Sequence, residues 1–136
     1  MGDNSGLQSW GIALLRVVVG VVFFVHGCQK LFVFHIAGVV GFFQHFVIPA
    51  PTFSAPVVTV VEFVGGAALL LGLGTRIAAL LLTFDMLGAI AFVHAKNGFF
   101  MPTGYEFAMT LAAANICLLL AGAGTASIDS LIRKKP

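Results

Sequence analysis

The chain has 136 residues, of which 60% are hydrophobic and only 9% are charged, and its formal net charge is +2. A soluble domain usually has about 25% charged residues, so this chain has too few polar groups to cover a water-exposed surface. The composition predicts a single domain embedded in lipid, and the small, scattered charge excludes a nucleic-acid-binding protein.

Four apolar segments approach the length needed to cross a membrane, which is about 20 residues. We predict spans at about residues 10–34, 56–73, 75–94 and 104–123. The tight turn GLGT, at Gly72 to Thr75, predicts that spans two and three are antiparallel neighbours. The expected fold is all-α: an integral membrane four-helix bundle with antiparallel spans, in a single transmembrane domain over residues 1–136.

The first connection, His35 to Pro56, has no fixed charge and is itself apolar. It predicts a short interfacial helix between spans one and two, at about Gly38 to Phe46, followed by an extended return through the residues IPAP. The phenylalanines expected to face lipid are Phe42, Phe43 and Phe46. The alternative is a hydrophobic loop that packs on the bundle.

Lysine and arginine residues set the orientation, because they concentrate in cytoplasmic loops. Arg76 lies between spans two and three, and Arg133, Lys134 and Lys135 lie at the end of the chain. With four spans, both groups fall on one side of the membrane. We therefore expect both termini, including a tail at residues 124–136, to be cytoplasmic.

Charged side chains inside a span cost about 2.5–3.5 kcal/mol each on insertion scales, so they are functional candidates by default. Glu62 lies about two turns below the outer end of span two, and Asp85 lies near the middle of span three. Depth pairs Glu62 with Lys30 or His26 at the outer side. It pairs Arg16 with Asp85 from the inner side, as a candidate intramembrane pair that holds the bundle together.

Glycines predict where the first two spans pack. At about 100° per residue, Gly20 and Gly27 share one face of span one with Arg16 and Lys30. Gly66 lies on the face of span two that carries the buried glutamate. Because glycine lets helix backbones approach closely, these three residues are predicted to be helix-packing positions.

Polar residues near the outer ends of the spans are expected to lie close together. They form a candidate polar cluster, defined as His26, Lys30, Glu62, His94, Tyr105 and Glu106. For three of them, Lys30, His94 and Glu106, the alternative is simple anchoring at the lipid headgroups. No residue is assigned a catalytic role.

No cofactor or metal site is evident from spacing. Two cysteines without a CxxC pattern predict neither a zinc site nor a redox motif. Cys28 and Cys117 lie about 20 Å apart in depth, which is too far for a disulfide. No motif for flavin, nicotinamide, iron–sulfur or c-type haem is present. A quinone is the cofactor that an apolar slot beside the polar cluster would suit.

Five stretches, read together, resemble the DoxX family of small bacterial and archaeal membrane proteins. They are LLRVVVGVVFFVHGCQKLF, VEFVGGAALLLGLGTRIAALLL, HAKNGFF, GYEFAMTL and GAGTASID, and they extend from about Leu14 to Asp129. The resemblance implies a four-span fold in the plasma membrane. The family takes its name from a small subunit of a thiosulfate:quinone oxidoreductase, and other members are linked to oxidative and thiol stress.

The resemblance therefore implies a membrane subunit associated with a quinone- or thiol-linked redox system, served by a soluble oxidoreductase partner. Two other functions stay open. The buried Glu62 suits a module that binds or transports a small molecule, a lipid or a proton. A non-catalytic membrane scaffold, with or without association of several copies of the chain, is the third.

Overall fold

The computed structural model describes residues 4–134, and within that range the chain is helical and contains no strand. Six α-helices follow one another in this described part of the chain. They are α1 (Ser5–Cys28), α2 (His35–His45), α3 (Pro51–Leu71), α4 (Thr75–Ala89), α5 (Glu106–Ala121) and α6 (Ile128–Arg133).

Helices α1, α3, α4 and α5 pack side by side as an antiparallel bundle. Only three residues, 72–74, connect α3 to α4, so these two helices form the predicted hairpin. Three helical stretches of the described chain are long and apolar enough to cross a membrane: Ser5–His45, Pro51–Leu71 and Thr75–Asn97. Helix α5, with 16 residues, is shorter.

Two of the long helices change their winding at the same end of the bundle. Helix α1 continues as a π-helical segment at Gln29–Phe34, and α4 continues as one at Ile90–His94. The backbone then turns sharply at His35, whose φ of 58° lies in the left-handed region that non-glycine residues rarely adopt. The turn starts α2, which packs against α3.

The short helix between spans one and two is present, as predicted, but two details of its prediction are wrong. Phe43 does not face lipid: it is 7% exposed and packs with Val39 and Ala55. The IPAP return is not fully extended, because Ala50 has a left-handed conformation, and α3 begins at Pro51 rather than at the predicted start of span two, about Pro56. Proline suits the first turn of a helix, where its missing N–H would have no partner.

Close contact between α1 and α3 occurs at the predicted glycines. A methyl group added at Gly27 would lie 2.5 Å from Phe63 Cα, and one at Gly20 would lie 2.9 Å from the backbone nitrogen of Leu70. A methyl group at Gly66 would meet the backbone of Phe24. The two helices therefore touch backbone to backbone, which sets the position of the polar residues that they carry.

The segment from residue 124, predicted to be a tail, instead folds onto the end of the bundle opposite the π-helical segments. The Asp129 carboxylate accepts hydrogen bonds from the backbone N–H of Gly74, at 2.8 Å, and of Thr75, at 2.9 Å. The N–H of Asp129 donates to the carbonyl of Gly72. The first turn of α4, which has no capping side chain of its own, is thus capped from α6. Lys135 lies outside the described residues.

Candidate functional site

A cavity of about 560 Å³ lies at the end of the bundle that carries the π-helical segments. Its wall is mostly apolar and includes Phe23, Phe42, Met86, Phe107 and Leu111. Five side chains that can ionise also line it: His26, Lys30, Glu62, Asp85 and His94. An apolar chamber with a few convergent polar groups is the usual form of a small-molecule site.

Lys30 and Glu62 form an ion pair at this cavity, as their depths in the sequence predict. Lys30 Nζ lies 2.6 Å from Glu62 Oε2, and the Glu62 side chain is only 5% exposed. The pair joins α1 to α3 beside the close contact at Gly27. Because water screens it poorly, removal of either partner would leave the other charge buried and unpaired.

Asp85 is the second carboxyl of the site, and the predicted polar cluster does not include it. Its carboxyl lies next to the carboxyl of Glu62, and both line the cavity. Among residues 4–134, no side-chain or backbone donor bonds to it, and its Oδ2 is buried without a partner. The site therefore holds two carboxyl groups in contact, with one lysine beside them.

The predicted pair of Arg16 with Asp85 is wrong, because Arg16 lies at the opposite end of the bundle. Its guanidinium is 2% exposed and donates to the carbonyl of Ala123 at 2.8 Å and to the carbonyl of Ala126 at 2.9 Å. Carbonyls of the irregular segment between α5 and α6 have no helical N–H to accept from. They accept from the two terminal nitrogens of the arginine in place of a carboxylate, whereas its Nε is buried without a partner.

The two histidines of the predicted cluster, His26 and His94, both line the cavity. His26 is exposed on α1, at the mouth. The ring Nδ1 of His94 lies 3.0 Å from the carbonyl oxygen of Thr103. When that nitrogen carries the proton and donates to the carbonyl, Nε2 is left as an acceptor.

Tyr105 and Glu106 do not line the cavity, although the sequence analysis placed them in the cluster. Glu106 Oε1 accepts from the backbone N–H of Met101 at 2.9 Å, and the Tyr105 ring packs edge-on against Phe99. Both residues hold the loop between α4 and α5. That loop forms part of the cavity wall through Met101 and Pro102, so their contribution is to its shape.

A second cavity, of about 370 Å³, lies between α2 and the π-helical continuation of α1. It shares part of its wall with the first cavity, namely His26, Lys30, Phe42 and Phe43. The rest of its wall includes Phe34 and Val39 and is largely apolar. A ligand with a polar head and an apolar tail would fit across the two.

The sequence contains a signal for the Glu62–Asp85 contact. Glu62 precedes Gly72 by ten residues, and Asp85 follows Thr75 by ten residues. In an antiparallel hairpin of two helices with a turn at those positions, equal steps from the turn lie at equal depth. The contact between Gly65 and Leu82 follows the same rule.

Metal ligands are not grouped at the site. Within residues 4–134, no set of three His, Cys, Asp or Glu side chains lies close enough to hold a metal ion. Cys28 and Cys117 are both free thiols.

Comparison with known proteins finds a family model that covers the site. A family model described as DoxX matches residues 11–95, which contain all five ionisable residues of the cavity. CatD of Bacillus subtilis, provisionally named as an oxidoreductase, is 34% identical over 91% of this chain and 88% of its own length.

Two further relatives carry names that describe membrane proteins. An uncharacterised membrane protein of Mycobacterium tuberculosis is 37% identical over 91% of this chain and 82% of its own length. The inner membrane protein YqjF of Escherichia coli is 30% identical over 95% of this chain and 97% of its own length. No solved structure matches the chain.

Proposed function

The chain belongs to the DoxX family of membrane proteins, and we propose that it is the quinone-binding membrane subunit of a redox system. In this proposal α1, α3, α4 and α5 all cross the plasma membrane, with both termini in the cytoplasm. Helix α5 is only about 24 Å long at 1.5 Å per residue. The loops at its two ends complete its path through the bilayer.

One observation carries the quinone assignment: the buried Lys30–Glu62 pair faces an apolar cavity of about 560 Å³. A quinone ring needs a flat apolar slot and hydrogen-bonding groups at its oxygens. The cavity volume falls in the usual range for small ligands, which is about 300–1,000 Å³. Lys30 is the donor best placed for one quinone oxygen. A ring nitrogen of His26, which also lines the cavity, is a second group that could hydrogen-bond to the quinone.

Electrons would come from a partner protein. The sequence has no motif for flavin, nicotinamide, iron–sulfur or c-type haem, so we propose a soluble oxidoreductase that docks on the membrane subunit. The relative CatD bears the provisional name of an oxidoreductase, which agrees with this role.

Quinone content and quinone binding test the proposal. The protein is purified in mild detergent, its lipid extract is analysed by mass spectrometry, and a short-chain quinone is titrated into it. Quinone should copurify with the wild type and be lost from Lys30→Met. The matched control is Lys96→Met, because Lys96 lies outside the cavity, with its Nζ 5.3 Å from the centroid of the Phe46 ring.

An empty protein that also fails to bind added quinone contradicts the proposal. Equal quinone content in the wild type and Lys30→Met would contradict the assigned site. Copurification with a soluble oxidoreductase, assayed by native pull-down from membranes, tests the partner separately.

A second candidate function is the binding or transport of an amphipathic lipid, and the adjoining cavity between α1 and α2 favours it. Its largely apolar wall, about 370 Å³ in volume, would hold an acyl or isoprenoid tail. Glu62→Gln distinguishes the two functions from a structural role. If this variant only lowers thermal stability and leaves ligand content unchanged, the glutamate is structural.

A further inference from the structure

The Asp85 carboxyl is a hydrogen-bond acceptor that the described chain leaves largely unused. It lines the main cavity beside the Glu62 carboxyl, and among residues 4–134 its Oδ2 is buried without a hydrogen-bond partner. Glu62 itself uses Oε2 to accept from Lys30. A buried acceptor without a donor costs free energy, so a ligand that supplies the donor gains by it.

The proton count of the site follows from its charges. Two ionised carboxylates in contact repel each other, whereas one proton between them turns the repulsion into a hydrogen bond. With that shared proton, the pair carries one negative charge, which Lys30 balances. The site is then neutral overall, as an apolar environment favours.

The oxygens of the carboxyl pair then have distinct partners. One oxygen of each carboxyl holds the shared proton, and Glu62 Oε2 accepts from Lys30. The remaining oxygen of Asp85 can only accept. A ligand's carbonyl or ether oxygen cannot form a hydrogen bond with this acceptor, because neither atom carries a proton. A ligand hydroxyl group can donate a hydrogen bond to it.

His94 Nε2 is a second possible acceptor for a hydroxyl group in the cavity, and the Asp85 substitutions below distinguish the two acceptors. The ionisable groups that face the cavity are His26 and Lys30 from α1, Glu62 from α3, and His94 from the continuation of α4. Among the described lining residues, α2 and α5 contribute no ionisable side chain.

We propose that the cavity recognises a ring hydroxyl through the Asp85 carboxyl, and so binds a phenol or hydroquinone in preference to the matching ether or quinone. This inference rests on the proposed quinone site and extends it by specifying the reduced form of the ligand. A site built to hydrogen-bond a hydroxyl discriminates strongly against an analogue that lacks it, because its own polar group is left unpaired.

A pair of probes that differ only in the hydroxyl group tests the preference. We would measure binding of para-heptylphenol and its methyl ether to the protein in lipid nanodiscs, with empty nanodiscs as the reference for membrane partitioning. The phenol should bind about tenfold or more tightly than the ether. Equal affinities in the wild type overturn the inference without any variant.

Two substitutions assign the preference to Asp85. Asp85→Leu removes the acceptor, and the phenol-to-ether affinity ratio should fall to about one. In Asp85→Asn, the amide N–H₂ can donate to Glu62 while the amide oxygen still accepts, so the ratio should be retained. A ratio unchanged in Asp85→Leu overturns the inference.

A short-chain benzoquinone and its hydroquinone, titrated without oxygen, separate this inference from the proposed function. If the phenol is preferred but neither quinone form binds, the hydroxyl inference stands and the quinone function fails. If both quinone forms bind equally and the phenol matches its ether, the quinone function stands and the inference fails. If no probe binds, both fail.

Discussion

Lys30 Nζ lies 2.6 Å from Glu62 Oε2, and this ion pair joins helices α1 and α3 across 32 residues of sequence. Glu62 is almost completely buried, so its charge depends on this partner more than a surface carboxylate would. The pair therefore has a structural effect that is measured separately from ligand binding.

Removing one partner of the pair should destabilise the protein more than removing both. We expect Lys30→Met to lower the free energy of unfolding by up to about 3–5 kcal/mol, because it leaves Glu62 buried without its counter-ion. The double variant Lys30→Met/Glu62→Leu should recover much of that loss. Thermal unfolding midpoints in detergent measure both, and simple additivity of the two single changes would show that the residues are not coupled.

The backbone contact between α1 and α3 predicts that Gly66 tolerates no larger side chain. In Gly66→Ala, the added methyl group meets the backbone at Phe24, which has to move, at a cost of about 1–3 kcal/mol or more. The control is Gly11→Ala on α1, where nothing lies within 4 Å of the added group. That change should be neutral or stabilising, because alanine favours helix. Equal effects on the unfolding midpoint would contradict the packing argument.

The cap on α4 predicts a dependence of stability on pH. Burial alone would raise the pKa of Asp129, but hydrogen bonds from the backbone N–H of Thr75 and Gly74 outweigh it and hold the pKa below its usual range. A lowered pKa in the folded state stabilises the protein above the unfolded value of about 3.9, and the benefit is lost as pH falls through the folded pKa.

We therefore expect Asp129→Ala to cost about 1 kcal/mol near neutral pH, as loss of a helix cap does. The difference from the wild type should shrink below about pH 4. Asp129→Asn keeps a capping oxygen without the charge, so its free energy of unfolding should lie between those of the wild type and Asp129→Ala. A difference that is constant with pH would mean that the carboxylate charge has no part in the cap.

Labelling from outside the cell tests the proposed orientation. In a background that lacks Cys28 and Cys117, a membrane-impermeant maleimide should label Lys96→Cys in intact cells. Leu73→Cys, in the turn between α3 and α4, should react only after the membrane is permeabilised. The reverse pattern would place both termini outside.

Local pattern was sufficient for the predictions that depend on neighbouring residues or on depth. The hydrophobic runs predicted the helices, the GLGT turn predicted the α3–α4 hairpin, and depth predicted the contact of Lys30 with Glu62. The partner of Asp85 was missed because Arg16 offered an opposite charge, although equal spacing from the turn indicated Glu62.

For the irregular segments between helices, the sequence contained no local pattern that predicted their contacts. The acceptors of Arg16 are the backbone carbonyls of Ala123 and Ala126. The pattern of side chains does not indicate which backbone carbonyls are free to accept, so these acceptors were not predictable. Tyr105 and Glu106 were expected to line the site because they start a helix beside it. Their side chains instead bind the preceding loop, whose backbone path depends on tertiary packing.

The hydrogen bonds of Arg16 have a consequence for how the protein is made. Its guanidinium lies on α1, whereas the carbonyls that accept from it belong to residues 123 and 126, which are synthesised more than 100 residues later. Until those residues have left the ribosome, the guanidinium lacks these acceptors. A chain that ends before those carbonyls would therefore leave the Arg16 guanidinium without the acceptors that it has in the folded protein.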